Sequence, residues 1–139
     1  MKLIILSDKF YKEYGGYREI LKKPSRPYLC LTVKIDGVTF AIPIRHHINH
    51  PFCFKTIGDC GLDYTKAVIL KDSSFIASDE AWIDTTEWNI IKRNENTIFY
   101  GFKKYLNQYK RAKKHPDNPR SRYFVQYSTL QYFDEAIMN

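Results

Sequence analysis

The spacing of apolar residues predicts β-strands in the first half of the chain. Residues 2–6 form a short apolar run, and residues 28–35 and 38–43 are two longer runs rich in β-branched and aromatic side chains. Asp36-Gly37 separates the two longer runs, and both of these residues tolerate the positive φ of a type I′ turn. We therefore expect a β-hairpin with a two-residue turn.

Further elements are predicted on both sides of this hairpin. Residues 10–23 have a helical pattern that is interrupted near Gly15, and residues 66–70 and 75–82 are candidates for two more strands. Pro43 has no N–H to donate to a β-ladder and is predicted to end the second hairpin strand. Strands therefore dominate the predicted first half.

The second half has the periodicity of helices. Over residues 94–113 the apolar side chains recur at spacings that place them on one face of a helix. Ser128 is a suitable N-cap for a last short helix. Strands followed by helices are typical of the α+β class, and 139 residues fit a single domain, 1–139. The residues on the shared helical face are Ile98, Phe102, Tyr105, Leu106 and Tyr109.

Composition and targeting signals narrow the class of protein. With 44% hydrophobic residues, the chain can bury a core that needs neither a metal nor disulfides. The first apolar run ends after Leu6, too early for a signal peptide, and no stretch is long enough to span a membrane. Cys30, Cys53 and Cys60 form no paired pattern and indicate free thiols. We expect a cytoplasmic protein with no membrane partner.

The positive charge is concentrated in one segment. The net charge is +7, and residues 101–125 contain eight basic residues against one acid, Asp117, which accounts for the whole excess. A local excess interleaved with tyrosines is typical of a surface that binds a polyanion; a solvated basic helix without a partner is the alternative. The basic residues are Lys103, Lys104, Lys110, Arg111, Lys113, Lys114, Arg120 and Arg122.

Candidate chemistry lies in the loop after the hairpin. Arg45, His46 and His47 follow the second predicted strand. Arg26 precedes the first strand, so antiparallel pairing should bring it close to Arg45 and His46. Histidine can transfer protons near neutral pH, and arginine can stabilise a phosphorane, as RNA cleavage by a 2′-hydroxyl requires. Ordinary loop residues that bond to the backbone are the alternative.

Other kinds of site find less support. His46, His50, Cys53 and Cys60 are potential zinc ligands, but the six residues between the two cysteines do not fit a zinc motif. We therefore expect no metal site and no cofactor. The sequence has no nucleophile elbow, P-loop or dinucleotide fingerprint. Lys66, where a loop runs into a predicted strand, is directed either at a phosphate or at solvent, and the pattern does not decide between these.

Four short stretches occur in a recognisable order along the chain. They are Arg26-Pro27-Tyr28, Phe40-Ala41-Ile42-Pro43-Ile44-Arg45, Gly61-Leu62-Asp63-Tyr64-Thr65-Lys66-Ala67-Val68 and Tyr127-Ser128-Thr129-Leu130. In this order and spacing they resemble the toxins of type III toxin–antitoxin systems, the ToxN/AbiQ/CptN/TenpN group, and above all its short TenpN-like branch. The resemblance runs from the first strand to the last helix.

The resemblance implies a fold, an activity and a partner. It implies a compact twisted antiparallel sheet flanked by helices, similar to the MazF/Kid toxins with their SH3-like barrel core. It implies a metal-independent, sequence-selective endoribonuclease that leaves a 2′,3′-cyclic phosphate and a 5′-hydroxyl and protects bacteria from phage by abortive infection. The implied antitoxin is a small repeated RNA pseudoknot, which the toxin processes and which holds it in a closed toxin–RNA hetero-oligomer. Cellular or phage mRNA is the implied substrate.

The resemblance also assigns roles to residues. Arg26 matches a basic residue that the family places before the first hairpin strand, and Arg45-His46 match a polar pair that follows the proline of the second strand. The family often has serine where this chain has His46, so either His46 is the general acid or base, or it only holds a phosphate. His47 and Lys66 are candidates for a catalytic or phosphate-binding role.

A non-catalytic module that binds RNA or DNA is the alternative function. Such a module would bind through residues 103–122 and would use Arg26, Arg45 and His46 only as ordinary loop residues. The toxin, in contrast, needs these three residues for activity. A structural protein with a basic face is a third hypothesis, and it predicts no strong RNA affinity at low salt.

Overall fold

The sheet is built around the predicted hairpin. A computed structural model describes residues 1–22 and 28–138, and the described strands are β1 (Leu3–Ile5), β2 (Leu29–Ile35), β3 (Val38–Arg45), β4 (Cys53–Lys55), β5 (Gly61–Asp63) and β6 (Val68–Ile69). Their order is β1-β2-β3-β5-β4, with β6 also on β3, and the recorded pairs are antiparallel. The described strands form an open sheet, so the barrel core and the likeness to MazF/Kid toxins stay predictions.

Helices follow the sheet along the chain and confirm the α+β class. Within the described ranges they are α1 (Asp8–Tyr14), α2 (Thr85–Arg93), α3 (Glu95–Lys113), α4 (Pro119–Gln126) and α5 (Asp134–Ile137). Four of these five helices lie in the second half, and of these the periodicity predicted the long helix α3. None of the helices in this part of the chain is long and apolar enough to cross a membrane.

The turn of the hairpin has the predicted conformation. Asp36 has a φ of 51° and Gly37 a φ of 81°, the left-handed values that a type I′ turn requires. Ile35 is paired with Val38 across the turn, and this register continues to Cys30 and Pro43. The hairpin therefore fixes which residue stands at the end of β3.

The predicted end of the second hairpin strand at Pro43 is wrong, because β3 continues to Arg45. The hydrogen-bonding groups of successive residues in a strand point alternately to its two sides. Thr39 uses the side away from β2, where its carbonyl accepts a hydrogen bond from the Leu70 N–H at 2.9 Å. Pro43 faces that same side, in the gap between β6, which pairs with residues 40 and 41, and β5, which pairs with 44 and 45. Its missing N–H breaks no ladder there, and Arg45 becomes a strand residue.

The apolar stripe of α3 packs against the sheet. All five residues predicted on this face are buried. The Phe102 ring lies 5.0 Å from the Phe40 ring of β3, between centroids, and the Tyr64 hydroxyl donates to the Ile98 carbonyl at 3.2 Å. This packing buries one side of α3 and leaves most of its lysines and arginines on the other side.

Several local predictions need correction. The helix predicted over residues 10–23 is shorter, because α1 ends at Tyr14. The strand predicted over 66–70 is reduced to β6, since Asp63 caps a 3-10 turn that extends to Lys66. The region 75–82 contributes only a single bridge, from Ile76 to Leu6, and no strand among the described residues. The short elements β4, β5, α2 and α4 were not predicted.

A close approach between β4 and β5 gives a test of this topology. A Cβ atom on Gly61 would overlap the Phe54 carbonyl oxygen, whereas a Cβ on Gly16 would meet no atom within 4 Å. We expect Gly61→Ala to lower the free energy of unfolding by about 1–3 kcal/mol, the usual cost of overpacking. Gly16→Ala is the matched control and should leave it nearly unchanged. Urea denaturation followed by circular dichroism measures both, and equal stabilities would contradict the close approach.

Candidate functional site

A fully buried carboxylate organises the end of β3. The Asp63 side chain is 0% exposed, and its Oδ2 accepts a hydrogen bond from Arg45 Nη1 at 3.1 Å. Its Oδ1 accepts from the Thr65 backbone N–H at 3.0 Å and the Thr65 hydroxyl at 2.6 Å, and His50 Nε2 lies 3.1 Å away. A buried charge is tolerated only when it is paired and hydrogen-bonded. Asp63 therefore fixes the positions of Arg45 and His50.

The hydrogen bonds of His50 define its tautomer. Its Nδ1 accepts from the Phe52 backbone N–H at 3.1 Å, so Nδ1 carries no proton. The proton is then on Nε2, which lies 3.1 Å from Asp63 Oδ1. Both ring nitrogens are engaged, so in this arrangement His50 holds its neighbours in place and has no free lone pair to accept a proton.

A cleft opens beside this network. Its volume is about 760 Å³, and it lies between the end of β3, the loop before β4, α3 and α4. The rings of Phe52, Tyr105 and Phe124 form an apolar floor, with the Phe124 centroid 5.1 Å from Phe52 and 5.2 Å from Tyr105. Tyr123 and Tyr127 stand exposed at its edge. The cleft thus combines aromatic surface with the polar groups around Asp63.

Three cationic side chains line the cleft, but they differ in availability. Arg45 uses one guanidinium nitrogen on Asp63, and its side chain is 29% exposed, which leaves further N–H donors for a ligand. Arg120 is exposed at the start of α4. Lys66 is different, because its Nζ lies 2.8 Å from Glu19 Oε2 and 3.5 Å from the Tyr127 carbonyl. Lys66 was expected to be directed either at a phosphate or at solvent. Its side chain instead forms a largely buried ion pair with Glu19.

His46 and His47 lie outside the cleft. His46 is exposed, with its Nδ1 2.8 Å from the Cys60 sulfur. His47, held at a φ of 59°, places its Nδ1 2.8 Å from Asp59 Oδ2. Arg26 falls among residues 23–27, outside the described ranges, so its predicted proximity to Arg45 is not described. The structure therefore assigns Arg45, but not His46, to the cleft.

One group of potential metal ligands forms within the described residues. The ligand atoms of His46, Asp59 and Cys60 all lie within 4.8 Å of one another. Burial, followed by the Asp59 carboxylate, raises the pKa of the Cys60 thiol, so its proton is available for the bond to His46. The ligand set considered from the sequence is not assembled, since His50 bonds to Asp63 and the Cys53 sulfur donates to the His50 carbonyl at 3.4 Å.

The basic segment divides between two surfaces. Arg120 lines the cleft, whereas a separate shallow depression of about 360 Å³ lies on the exposed face of α3. Lys113 is paired with Asp134 at 2.8 Å, and the remaining three cations line neither surface. The cations of the depression are Lys103, Lys104 and Arg111, and the three that line neither surface are Lys110, Lys114 and Arg122.

Sequence analysis missed the residues that organise the cleft. Asp63 lies in a stretch singled out for Lys66, and the spacing Asp63-Tyr64-Thr65 is typical of an aspartate that caps its own turn. His50 was considered only as a zinc ligand, and Tyr127 only as part of a motif. No local pattern joins these residues, because Asp63 is on β5, His50 is in the loop before β4, and Tyr127 follows α4.

Comparisons with known proteins add no assignment. No protein-family model, curated protein or solved structure matches the chain. The resemblance to type III toxins therefore stays a prediction based on residue patterns, and the argument for function depends on the site itself.

The buried carboxylate gives a testable stability effect. Asp63→Asn removes the charge that Arg45 and His50 are bonded to, so the free energy of unfolding should fall by about 2–4 kcal/mol. Asp59→Asn breaks a carboxylate–histidine pair that is exposed to solvent, so its effect should be much smaller. Chemical denaturation of both variants measures the difference. Equal losses would show that Asp63 does not hold the site together.

Proposed function

We propose that this protein is a cytoplasmic RNA-binding endoribonuclease, the toxin of a type III toxin–antitoxin system. Cleavage proceeds without a metal by attack of a 2′-hydroxyl on the adjacent phosphate, leaving a 2′,3′-cyclic phosphate and a 5′-hydroxyl. The substrate is cellular or phage mRNA, and the role is defence against phage. The observation that supports this most is Arg45, fixed by a buried carboxylate at the edge of an aromatic cleft.

The geometry around Arg45 suits stabilisation of a phosphorane. Attack of the 2′-hydroxyl adds negative charge to the phosphate oxygens, and forked guanidinium donors can hold these oxygens through two parallel hydrogen bonds. Because Asp63 already positions the guanidinium, little reorganisation is needed when this charge develops. Arg120, on the same cleft, supplies a second cation for the neighbouring phosphate. Arg45 is therefore the residue we propose as catalytic.

Two histidines near the end of β3 are candidates for proton transfer. The family resemblance places His46 in this role, yet its imidazole lies outside the cleft and contacts Cys60. His50 does line the cleft, but its two nitrogens are occupied by Phe52 and Asp63. In our proposal Arg45 and Arg26 act on the phosphate, and once RNA is bound His46 takes the proton of the attacking 2′-hydroxyl and delivers it to the 5′-oxygen as the P–O5′ bond breaks. This last assignment is separately testable.

The antitoxin in this proposal is a small repeated RNA pseudoknot. Its phosphates would contact the depression on α3 that is lined by Lys103, Lys104 and Arg111, outside the cleft. The toxin would process the repeated RNA in the cleft and remain bound to it in a closed hetero-oligomer. A folded RNA presents phosphates over a wide surface, which fits cations placed on two sides of the molecule.

A non-catalytic RNA-binding module is the second candidate. One observation favours it: among the described residues that line the cleft, the one imidazole, His50, has no free nitrogen. Such a module would use the same cations and aromatic surface but would leave bound RNA intact.

Expression in bacteria with sequencing of RNA 5′ ends separates the two candidates. For wild-type protein we expect growth arrest and new 5′-hydroxyl ends at one short motif. Arg45→Ala should remove both, since loss of a donor to the phosphorane typically costs about 100-fold or more in rate. The matched control is Arg93→Ala on α2, where the side chain bonds only to the Asn89 carbonyl of its own helix. Arrest without new ends, or no arrest from folded wild-type protein, would reject the ribonuclease.

The same experiment tests the proton-transfer residue. His46→Ala should lose cleavage but keep RNA binding, whereas Cys60→Ser keeps the imidazole and should retain activity. Normal cleavage by His46→Ala would remove His46 from the mechanism and leave the role of Arg45 standing.

Binding of the antitoxin should depend strongly on salt. Each phosphate contact that is lost reduces the slope of log affinity against log salt by roughly one. Replacing Lys103, Lys104 and Arg111 together by alanine should therefore lower the slope by about 2–3. Fluorescence anisotropy with a labelled pseudoknot RNA over a salt series measures this. An unchanged slope would show that the α3 depression does not contact the RNA backbone.

A further inference from the structure

Two tyrosines at the edge of the cleft have large fractions of their surface exposed to solvent. Tyr123 is 65% exposed and Tyr127 is 40% exposed, although both carry large apolar rings. Their ring centroids lie 4.5 Å apart with an angle of 52° between the planes. Tyr123 lies in α4 and Tyr127 directly follows it, four residues later, so the helix holds the two rings next to each other. We call this pair the tyrosine platform.

Hydrogen bonds and packing hold the backbone that carries the tyrosine platform. Tyr127 is the C-cap of α4, and its N–H donates to the Tyr123 carbonyl at 3.3 Å. The Tyr127 carbonyl in turn accepts from Lys66 Nζ at 3.5 Å. Phe124, the next residue after Tyr123, packs into the floor of the cleft against Phe52. A rigid backbone therefore presents the two rings to solvent, which lowers the entropy cost of stacking a flat ligand on them.

The surroundings of the platform indicate the chemistry of the ligand. Arg120 stands one helical turn before Tyr123, and Arg45 lines the same cleft, so flat rings and cations occur together. Asn49, exposed at the cleft, offers both an amide donor and an acceptor. Aromatic faces bind bases, guanidinium groups bind phosphates, and amide groups pair with base edges. An apolar peptide would give no acceptor to Arg120 or to the guanidinium donors that Arg45 does not use on Asp63.

We propose that the tyrosine platform stacks an unpaired nucleobase of the RNA and thereby directs the adjoining phosphodiester towards Arg45. This inference deepens the proposed function and depends on it. Single-stranded RNA is bound because only an unpaired base can leave its own stack and lie on the rings. The base on the platform is then one of the positions that set the cleavage motif, with Asn49 at its edge.

Binding of an uncleavable oligonucleotide tests the proposal directly. The probe is a fluorescently labelled 2′-O-methyl single strand, which lacks the nucleophilic hydroxyl, and the competitor is the same strand in a duplex. Replacing Tyr123 or Tyr127 by alanine should weaken binding of the single strand about 5- to 100-fold, the usual effect of losing one base-stacking ring. Replacement by phenylalanine keeps the ring and should restore most of the affinity. The duplex should bind weakly to every variant.

Tyr17→Ala is the matched control. Tyr17 is also an exposed tyrosine, at 47%, and its ring stacks on that of Tyr132 with 4.3 Å between centroids, but it lines neither the cleft nor the α3 depression. We expect this variant to bind the single strand as the wild type does. All three tyrosines are exposed, so circular dichroism melting curves should remain close to that of the wild type.

The possible outcomes separate the two proposals. Wild-type protein that binds the single strand, with Tyr123→Ala and Tyr127→Ala binding equally well, overturns the platform and leaves the ribonuclease proposal intact. Equal losses in Tyr17→Ala also overturn it, since the effect would not be specific to the cleft. Wild-type protein that neither binds the single strand nor cleaves RNA rejects the proposed function and the platform together.

Discussion

Burial of the Asp63 carboxylate is the constraint on which the candidate site depends. A carboxylate taken fully out of water must recover its hydration from protein donors, and here the donors come from three separate segments. The end of β3 supplies Arg45, the loop before β4 supplies His50, and the turn after β5 supplies Thr65. Folding must bring these segments together at one point, and the cleft forms beside that point.

The register of the β2–β3 hairpin determines where Arg45 stands relative to Asp63. The two-residue turn at Asp36-Gly37 fixes the register of β3 against β2. This register determines on which face of the sheet each side chain of β3 lies. Pro43 then falls in the gap between β6 and β5, and Arg45 falls opposite Gly61 at the start of β5. Asp63 follows two residues later on β5, within reach of the arginine. A shift of one residue in the turn would direct Arg45 to the other face of the sheet.

Local patterns predicted the parts of the fold that are local. The hairpin followed from its turn residues, and α3 followed from the spacing of Ile98, Phe102 and Tyr105, because both signals lie within one short window. Arg45 was identified as a site residue for its place after the strand, although the strand extends further than expected. Asp63 and His50 could not be joined in this way, since their contact depends on the pairing of β4 with β5, two short strands that local patterns did not predict. The position of His46 illustrates the same limit: β3 ends at Arg45, and the imidazole of His46 contacts Cys60, so His46 and Arg45 are neighbours in sequence but not in the cleft.

In the proposed function, the division of the basic residues between the cleft and the α3 depression would make the molecule bivalent towards RNA. If the cleft and the α3 depression each hold a separate stretch of nucleic acid, every protein molecule joins two RNA segments, and a repeated RNA joins two protein molecules. The contact between successive copies is then heterologous, and the angle between the two surfaces decides the shape of the assembly. If the rotation between successive copies is a whole fraction of a full turn, the assembly closes into a ring of fixed copy number. Any other rotation gives an open filament. The geometry of a single chain would in this way determine how many toxins the antitoxin can enclose.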